Sequence, residues 1–422
     1  MFISVGRFSE TMESGKPVGN TNPRLEFTKA MFRKYYSKAN VQPPGKLINR
    51  EFGVITERGG MWRHLGFGTP DELQNFLKKQ APIHAYHSSA YYTKPNARTM
   101  DEKTWLGADL IFDLDADHIQ GSENMTIEMM FEKVKVQFKK LVHSYLLDDF
   151  GFDENDVKIV FSGGRGYHAH VSNEKVLRLN SHERREIVDY ITKPSTNIDT
   201  LVRKVIFSNE RFKDHDNKKY IYRLYPRDTP GWRGKVTASV LDFIDRTEKM
   251  PKENVIDELE SHRGIGDTLA LKIYNSMYLG KPGDRGIDKM RSDLNLEPFG
   301  EDSVRNSFIN HIVKEMTVDL GGETDEPVTS DIKRLIRLPG SVHGKTGLVV
   351  RTMTVEELNG FLPLRDSVWP GFEKSTVKLM GLEDYEVKLK NTVFKVKKDT
   401  ETEVPEYAAL FLLGQKKCDI RI

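Results

Sequence analysis

The sequence predicts a mixed α/β (α+β) chain that carries a mainly helical insertion. Short apolar runs of β-forming residues, ADLIFDL over 108–114 and VKIVF over 157–161, indicate buried strands. Between these two runs, apolar side chains recur at helical spacing over residues 126–147. Residues 185–300 are strongly charged, helical in pattern and interrupted by Pro and Gly, which is typical of an inserted helical segment.

The composition is that of an ordinary globular protein. Of the 422 residues, 38% are hydrophobic and 30% are charged, which supports a core divided among about two or three domains. No apolar run is long enough for a transmembrane helix, so we expect no membrane partner. The start MFISVGRFSE lacks the apolar run of a signal peptide, and the single cysteine, Cys418, cannot close an internal disulfide. We therefore expect a cytoplasmic chain with a reduced thiol.

The first elements of the chain follow from local signals. Residues 1–22 are polar and rich in Gly, Ser, Thr and Asn, which predicts a flexible N-terminal tail. A helical pattern begins at Pro23 and ends before a Pro-Pro pair. Thr69 stands where a helix N-cap is expected, with Glu72 three residues later.

The same patterns divide the whole chain. We predict a core whose first part is 23–184, a mainly helical insertion over 185–300, and a second core part over 301–422. That second part contains alternating strands over 377–396 and a closing helix over 405–413, where Pro405 suits the first helical position.

Two aspartates mark the end of the first strand. Asp113 and Asp115 are separated by one residue, so on a strand they share a face while Phe112 and Leu114 point the other way. Neighbouring carboxylates on a half-buried strand repel each other, and a divalent cation between them relieves that repulsion. Mg²⁺ or Mn²⁺ suits such oxygen ligands, and two-metal phosphoryl transfer uses this arrangement. The alternative is a strand end at which Asp115 begins a solvated turn.

A glycine-rich loop joins the next two predicted strands. Its sequence over 162–168 is SGGRGYH, in which three glycines can expose backbone N–H groups to an anion. The residues with phosphate-binding chemistry are Ser162, Gly163, Gly164, Arg165 and His168. The alternative is a tight hairpin turn whose arginine is solvated.

A second basic segment runs over 331–347 and surrounds a Pro-Gly turn. Its candidates for phosphate contacts are Arg337, His343 and Lys345. Just upstream, the acidic residues Glu323, Asp325 and Glu326 offer a third metal carboxylate. The alternative for the basic residues is an ordinary solvated face.

Taken in order, these motifs resemble those of the catalytic small subunit of archaeal and eukaryotic DNA primases, and of the archaeal branch in particular. The matching stretches are REFG at 50–53, HAYHSSAYY at 84–92, WLGADLIFDLDADH at 105–118, SGGRGYH at 162–168 and RLIRLPGSVHGKTG at 334–347. The resemblance implies the primase catalytic fold, in which two β-sheets with flanking helices hold the catalytic centre.

The resemblance also implies roles for particular residues. Asp113 and Asp115 match the metal-binding aspartates, and the third aspartate falls on Asp325, with Asp331 as the alternative. The cofactor would be Mg²⁺ or Mn²⁺ at a two-metal site. Archaeal members carry a Cys/His zinc knuckle after the aspartate strand, but residues 116–150 contain no cysteine, which argues against a structural zinc there.

The nucleotide-binding residues of the family match two sets in this chain. The first set is the loop Ser162, Gly163, Gly164, Arg165 and His168. The second set is Arg337 and His343, with Arg50 as a weaker member. The implied partners are a large primase subunit in a heterodimer, a single-stranded DNA template, nucleoside triphosphates and other replication proteins, in a nucleoid-associated machinery.

The expected function is therefore template-directed synthesis of short primers. Three alternatives use the same residues: a gap-filling or end-joining polymerase that extends an existing 3′ end, a metal-dependent nuclease, and a non-catalytic nucleic-acid-binding subunit. For the template we expect residues 211–235, which carry eight Lys/Arg against three Asp, interleaved with aromatic rings. The alternative is that these rings belong to a core whose rim is charged.

Overall fold

The structure, a computed structural model, divides the chain into two compact units. It describes residues 22–56, 59–116, 125–192, 197–212, 215–262, 264–317, 326–373 and 375–420. The first unit comprises Met1–His87, Arg337–Arg351 and Leu362–Ile422, and the second comprises Ser88–Ile336 and Thr352–Phe361. The predicted tail over 1–22 lies outside the described residues, apart from Asn22.

The described chain contains both helices and strands, so the mixed α/β class is confirmed. The α-helices are α1 (Pro23–Lys38), α2 (Pro70–Gln80), α3 (Met100–Lys103), α4 (Ile127–Lys140), α5 (Glu174–Leu177), α6 (Ser181–Thr192), α7 (Trp232–Thr247), α8 (Lys252–Glu260), α9 (Asp267–Tyr278), α10 (Gly286–Asp293), α11 (Asp302–Met316), α12 (Glu326–Ser330), α13 (Pro363–Asp366) and α14 (Glu406–Gly414). In the part of the chain that is described, no helix has both the length and the apolar character to cross a bilayer.

The strands are mostly short. They are β1 (Phe52–Ile55), β2 (Met61–Leu65), β3 (His84–Ser88), β4 (Ala90–Tyr92), β5 (Trp105–Ala108), β6 (Leu110–Asp115), β7 (Val157–Phe161), β8 (Gly166–Val171), β9 (Arg203–Phe212), β10 (His215–Arg223), β11 (Leu335–Arg337), β12 (Arg351–Met353), β13 (Thr376–Gly381), β14 (Tyr385–Leu389), β15 (Thr392–Val396), β16 (Glu401–Pro405) and β17 (Cys418–Ile420).

In the first unit, an antiparallel sheet packs against α1 and α2. Strand β1 pairs with β2 on one side and with β3 on the other. The core between this sheet and the helices includes Phe32, Tyr36, Phe52 and Leu77, all buried. Both helices begin as the sequence predicts, since the side chain of Asn22 caps α1 and that of Thr69 accepts the N–H of Glu72.

In the second unit, the predicted apolar strands lie in one sheet with the order β12-β7-β8-β6. The amphipathic helix predicted over 126–147 is confirmed as α4, which continues into a π-helical segment, Leu141–Leu147. The α4 ring of Phe138 packs 5.4 Å from that of Tyr167 on β8. This packing covers one face of the strands that bear the two aspartates and the glycine-rich loop.

The charged segment 185–300 contains α7, α8, α9 and α10, as its helical pattern predicts, but it also contains the antiparallel β9–β10 hairpin. The alternating strands predicted over 377–396 are confirmed as β13, β14 and β15. The closing helix begins one residue later than predicted, because Pro405 ends β16 and serves as the N-cap of α14. The domain limits given above stay predictions.

Candidate active site

Asp113 and Asp115 lie on one face of β6, beside β8. Across the antiparallel pair, Asp113 is opposite His168 and Asp115 is opposite Gly166. Both carboxylates are half-buried, whereas Leu114 between them is buried, so the alternation predicted from the sequence is present. The Nε2 atom of His168 lies 3.4 Å from a carboxylate oxygen of Asp113. The pair therefore forms a carboxylate surface with an imidazole at its edge.

A buried polar network holds the start of β6. The carboxylate of Asp109 accepts hydrogen bonds from Tyr91 Oη at 2.6 Å and Ser172 Oγ at 2.9 Å. The Arg184 guanidinium, 1% exposed, donates to the carbonyl oxygens of Ala108 and Asp109 at 2.7 and 2.8 Å. Burial lowers the pKa of Arg184 to about 10, against the opposing effect of Asp109, so the group stays charged at neutral pH.

Replacing Arg184 by methionine is expected to lower the free energy of unfolding by about 3 kcal/mol or more, because buried carbonyl groups lose their donors. Urea denaturation followed by circular dichroism measures the change. The matched control is Arg178→Met, an exposed arginine near the same helix, which should change stability by no more than about 0.5 kcal/mol. Equal stability of the two variants would contradict the anchoring role of Arg184.

The glycine-rich loop is organised by its serine. The Oγ atom of Ser162 accepts the N–H groups of Gly164 at 3.1 Å and Gly166 at 3.3 Å, and Gly163 has a φ of 74°. Here the structure differs from the predicted amide nest, since these two N–H groups already have an acceptor within the loop. The Arg165 side chain is exposed at the tip. The loop thus presents a guanidinium on a rigid turn next to the aspartate strand.

In the first unit, Arg337 and His343 lie in one cluster with His84. Arg337 Nη1 lies 2.6 Å from His84 Nδ1, and the guanidinium stacks 4.6 Å from the ring centre of Tyr86. The rings of His84 and His343 are 5.0 Å apart, centre to centre. Two predicted phosphate-binding residues are therefore brought together with two residues of β3.

His84 is a member of this cluster to which the sequence analysis assigned no role. Its Nδ1 also lies 3.3 Å from the N–H of Gly344, so this nitrogen acts as an acceptor. Burial, with the nearby charges of Arg337 and Lys345, lowers the pKa of His84 to about 3, which keeps the ring neutral. The signal in the sequence is the alternation of His84 and Tyr86 on one face of a strand, but its partner is 253 residues away.

Arg50, the weaker candidate, lies in the same unit. It is 3% exposed, and its Nε donates to the carbonyl oxygen of Gly45 at 3.0 Å. The guanidinium of Arg50 therefore binds the backbone of the preceding loop through this hydrogen bond.

The third metal-binding aspartate predicted from the resemblance, Asp325, lies outside the described residues. Helix α12 begins at the next residue, and its Val328 packs against Ile111 of the aspartate strand. The alternative, Asp331, is exposed and accepts the N–H of Lys333 at 2.9 Å. Helix α12 thus packs on the strand that carries Asp113 and Asp115.

The aromatic residues predicted to contact a template have different environments. Trp232 is buried, and its ring nitrogen donates to the carbonyl oxygen of Tyr190. Tyr220 is 42% exposed on β10, with the ammonium group of Lys204 4.4 Å from its ring centre. Trp232 therefore belongs to the core. Contact with a template stays a prediction for the exposed face of the β9–β10 hairpin, which carries Tyr220 and Lys204.

Comparison with known proteins identifies a family model and several relatives that this chain matches. Residues 112–355 match the family model described as DNA primase small subunit. The DNA primase small subunit PriS of Methanosarcina acetivorans is 38% identical, over 92% of this chain and 94% of its own. The protein of the same name from Methanococcoides burtonii is 39% identical over 92% of this chain and 96% of its own. Because the match spans the aspartate strand, the glycine-rich loop and the basic segment, the chain belongs to the DNA primase small subunit family.

Proposed function

We propose that this chain synthesises short primers on a single-stranded DNA template by two-metal nucleotidyl transfer. Its family is one of nucleotidyltransferase enzymes, and the archaeal relatives carry the name of a primase subunit. The observation that carries the mechanism is the placement of Asp113 and Asp115 on one face of β6, directly beside the Ser162–Gly166 turn.

The donor set fits hard divalent cations. Asp113 and Asp115 offer carboxylate oxygens from neighbouring positions of one strand face, and both are half-buried, where their mutual repulsion favours a bound cation. These two residues, with Asp325, would hold Mg²⁺ or Mn²⁺. Ions bound there would supply activation of the 3′-hydroxyl and would neutralise charge on the phosphates.

The protein groups around the carboxylates orient the nucleotide. The 3′-hydroxyl oxygen attacks the α-phosphorus and gives up its proton to solvent. The bond between the α-phosphorus and the oxygen that it shares with the β-phosphorus breaks, and pyrophosphate leaves. In this proposal, Arg165 and the Ser162 hydroxyl bind the phosphates, because both belong to the turn beside the aspartate strand. His168, whose Nε2 lies 3.4 Å from Asp113, would donate a hydrogen bond to a phosphate oxygen.

The cluster of Arg337, His84 and His343 is proposed as a second phosphate-binding group. The neutral His84 acceptor fixes the guanidinium of Arg337 on one side, and Tyr86 supports its face. These contacts orient the guanidinium of Arg337 before any nucleotide binds, which lowers the entropic cost of binding.

We expect Arg337→Ala to raise the KM for nucleoside triphosphates at least about tenfold, with a smaller effect on kcat. Steady-state primer synthesis at varied nucleotide concentration measures both constants. The control is Lys79→Ala, an exposed cation on α2 of the same unit, which should leave KM unchanged. An unchanged KM in the Arg337 variant would exclude this cluster from nucleotide binding.

The proposed partners follow from the family. The chain would act in the cytoplasm as the small subunit of a heterodimer with a large primase subunit, together with other proteins of the replication machinery. Its substrates would be a DNA template and nucleoside triphosphates.

The test of the proposed function is synthesis without a primer. The purified chain, alone and with a large subunit, is incubated with single-stranded DNA, Mg²⁺ or Mn²⁺ and labelled NTPs or dNTPs. New short oligomers are expected. In parallel reactions, extension only when a primer is supplied would favour the gap-filling polymerase, and release of label from DNA that is itself labelled would favour the nuclease. DNA binding without either reaction would favour the binding subunit.

A further inference from the structure

A cluster of metal-ligating side chains lies in the helical part of the second unit and has no part in the proposed chemistry. Glu258 of α8 and His311 and Glu315 of α11 each place a ligand atom within 4.8 Å of the other two. Helices α8 and α11 both lie in the segment that follows the β9–β10 hairpin. All three residues lie outside the sequence motifs described above.

His311 is the observation that points to a ligand. Its side chain is 2% exposed, and neither ring nitrogen has a hydrogen-bond partner among the described residues. The Nε2 atom lies 3.8 Å from a carboxylate oxygen of Glu315, so it points into the cluster. A buried imidazole without a hydrogen-bond partner destabilises the fold, and coordination of a metal would remove that cost.

The surroundings keep this imidazole neutral. Burial, with His262 and Arg246 nearby, lowers the pKa of His311 to about 4, and a metal ligand must be unprotonated. His262 is a second imidazole, whose ring centre is 5.4 Å from that of His311. Burial and Lys314 lower its pKa as well.

A cation already stands beside the carboxylates. Arg246 Nη1 lies 2.6 Å from a Glu258 carboxylate oxygen, and Nη2 lies 3.9 Å from Glu315. The competing explanation of the cluster is therefore an ion-pair network centred on Arg246. That network uses the two carboxylates but leaves both ring nitrogens of His311 without a hydrogen-bond partner among the described residues. The Arg246 side chain is 46% exposed, so water can solvate its charge when an ion takes its place.

We propose that Glu258, His311 and Glu315 bind a transition-metal ion of the Zn²⁺ class, which joins α8 to α11. One imidazole nitrogen and two carboxylate oxygens are ligands that Zn²⁺ accepts, whereas Mg²⁺ prefers an all-oxygen set. The ion would replace Arg246 as the positive charge between the carboxylates and would act as a structural link, distinct from the Asp113–Asp115 pair.

The experiment measures Zn²⁺ binding by competition with a chromophoric chelator, using the full-length, metal-stripped chain. Asp113→Asn and Asp115→Asn form the parent background, so that catalytic carboxylates do not contribute. One Zn²⁺ per chain is expected. His311→Gln and Glu315→Gln should each weaken binding more than about tenfold, since even indirect perturbation of a metal site costs 10- to 100-fold.

Two further variants sharpen the test. Arg246→Gln removes the competing cation and should bind Zn²⁺ at least as tightly as the parent. The matched control is His182→Gln, which alters an exposed His–Glu pair on α6, His182 and Glu186, whose atoms are 3.9 Å apart. This control should bind Zn²⁺ as the parent does. Substituted Co²⁺ should show a visible d–d absorption that disappears in the Glu315→Gln chain.

No binding by the parent, or binding that survives either His311→Gln or Glu315→Gln, would overturn the proposal and leave the ion-pair network. Weaker binding by Arg246→Gln would also overturn it, because Arg246 would then support the site rather than compete with the ion. Glu315 is 45% exposed, so its substitution keeps the test valid if the His311 variant fails to fold. Circular dichroism of each variant checks that point.

Discussion

Asp113→Asn and Asp115→Asn are each expected to lower the rate of primer synthesis at least about 1,000-fold, which corresponds to about 4 kcal/mol of activation free energy. Asparagine keeps the size of the side chain but removes the negative charge that would hold a divalent cation. Both positions are half-buried at the edge of β6 and project away from the apolar face, so the fold should tolerate the change. Primer-free synthesis on single-stranded DNA measures the loss.

The same assay distinguishes the two candidates for the third carboxylate. We expect Asp325→Asn to show a comparable loss, because α12 starts at the next residue and packs on the aspartate strand. Asp331→Asn should retain activity, since Asp331 is exposed and caps a local turn. The reverse pattern would move the role to Asp331, and full activity of both Asp113 and Asp115 variants would refute the metal site itself.

Gly166→Ala is expected to abolish activity and to destabilise the second unit. A Cβ atom at Gly166 would lie 2.2 Å from the carbonyl oxygen of Leu114 and 2.9 Å from the Cα of Asp115. These are backbone atoms, so the clash can be removed only if β6 and β8 separate at the position of Asp115. We expect loss of several kcal/mol of stability or, in chains that still fold, at least about a 100-fold loss of primer synthesis.

Gly266→Ala is the matched control, because no atom of the described residues lies within 4 Å of the Cβ that it would add. It should keep both activity and melting temperature. Thermal unfolding and primer synthesis measured on the same preparations separate a loss of fold from a displacement of Asp115. Wild-type behaviour of Gly166→Ala would mean that the two strands are not held at this distance.

Local signals account for the parts of the fold that the sequence predicts correctly. The Thr69 cap, the apolar strand before Asp113 and the amphipathic helix after it each depend on residues a few positions apart. The aspartate pair is predicted for the same reason, since alternation along one strand decides which face each carboxylate takes.

Features that depend on distant residues are not predictable in this way. The place of His84 in the cluster depends on its contact with Arg337, which is 253 residues away in sequence. Trp232 resembles the exposed aromatic residues of the basic segment, and only its packing beside Tyr190 shows that it belongs to the core. Likewise, two loop glycines donate their N–H groups to Ser162, which composition alone does not reveal.

The first unit is assembled from both ends of the chain. Tyr35 Oη donates to the carbonyl oxygen of Gly340, 305 residues away, and Lys34 pairs with Glu406 across 372 residues. During synthesis, the core around α1 therefore cannot be completed until the last segment has left the ribosome, whereas nearly all of the second unit is already present. An unfinished or C-terminally shortened chain would lack Phe372 and Leu410, so the part of the first unit's core that they cover would be exposed to water.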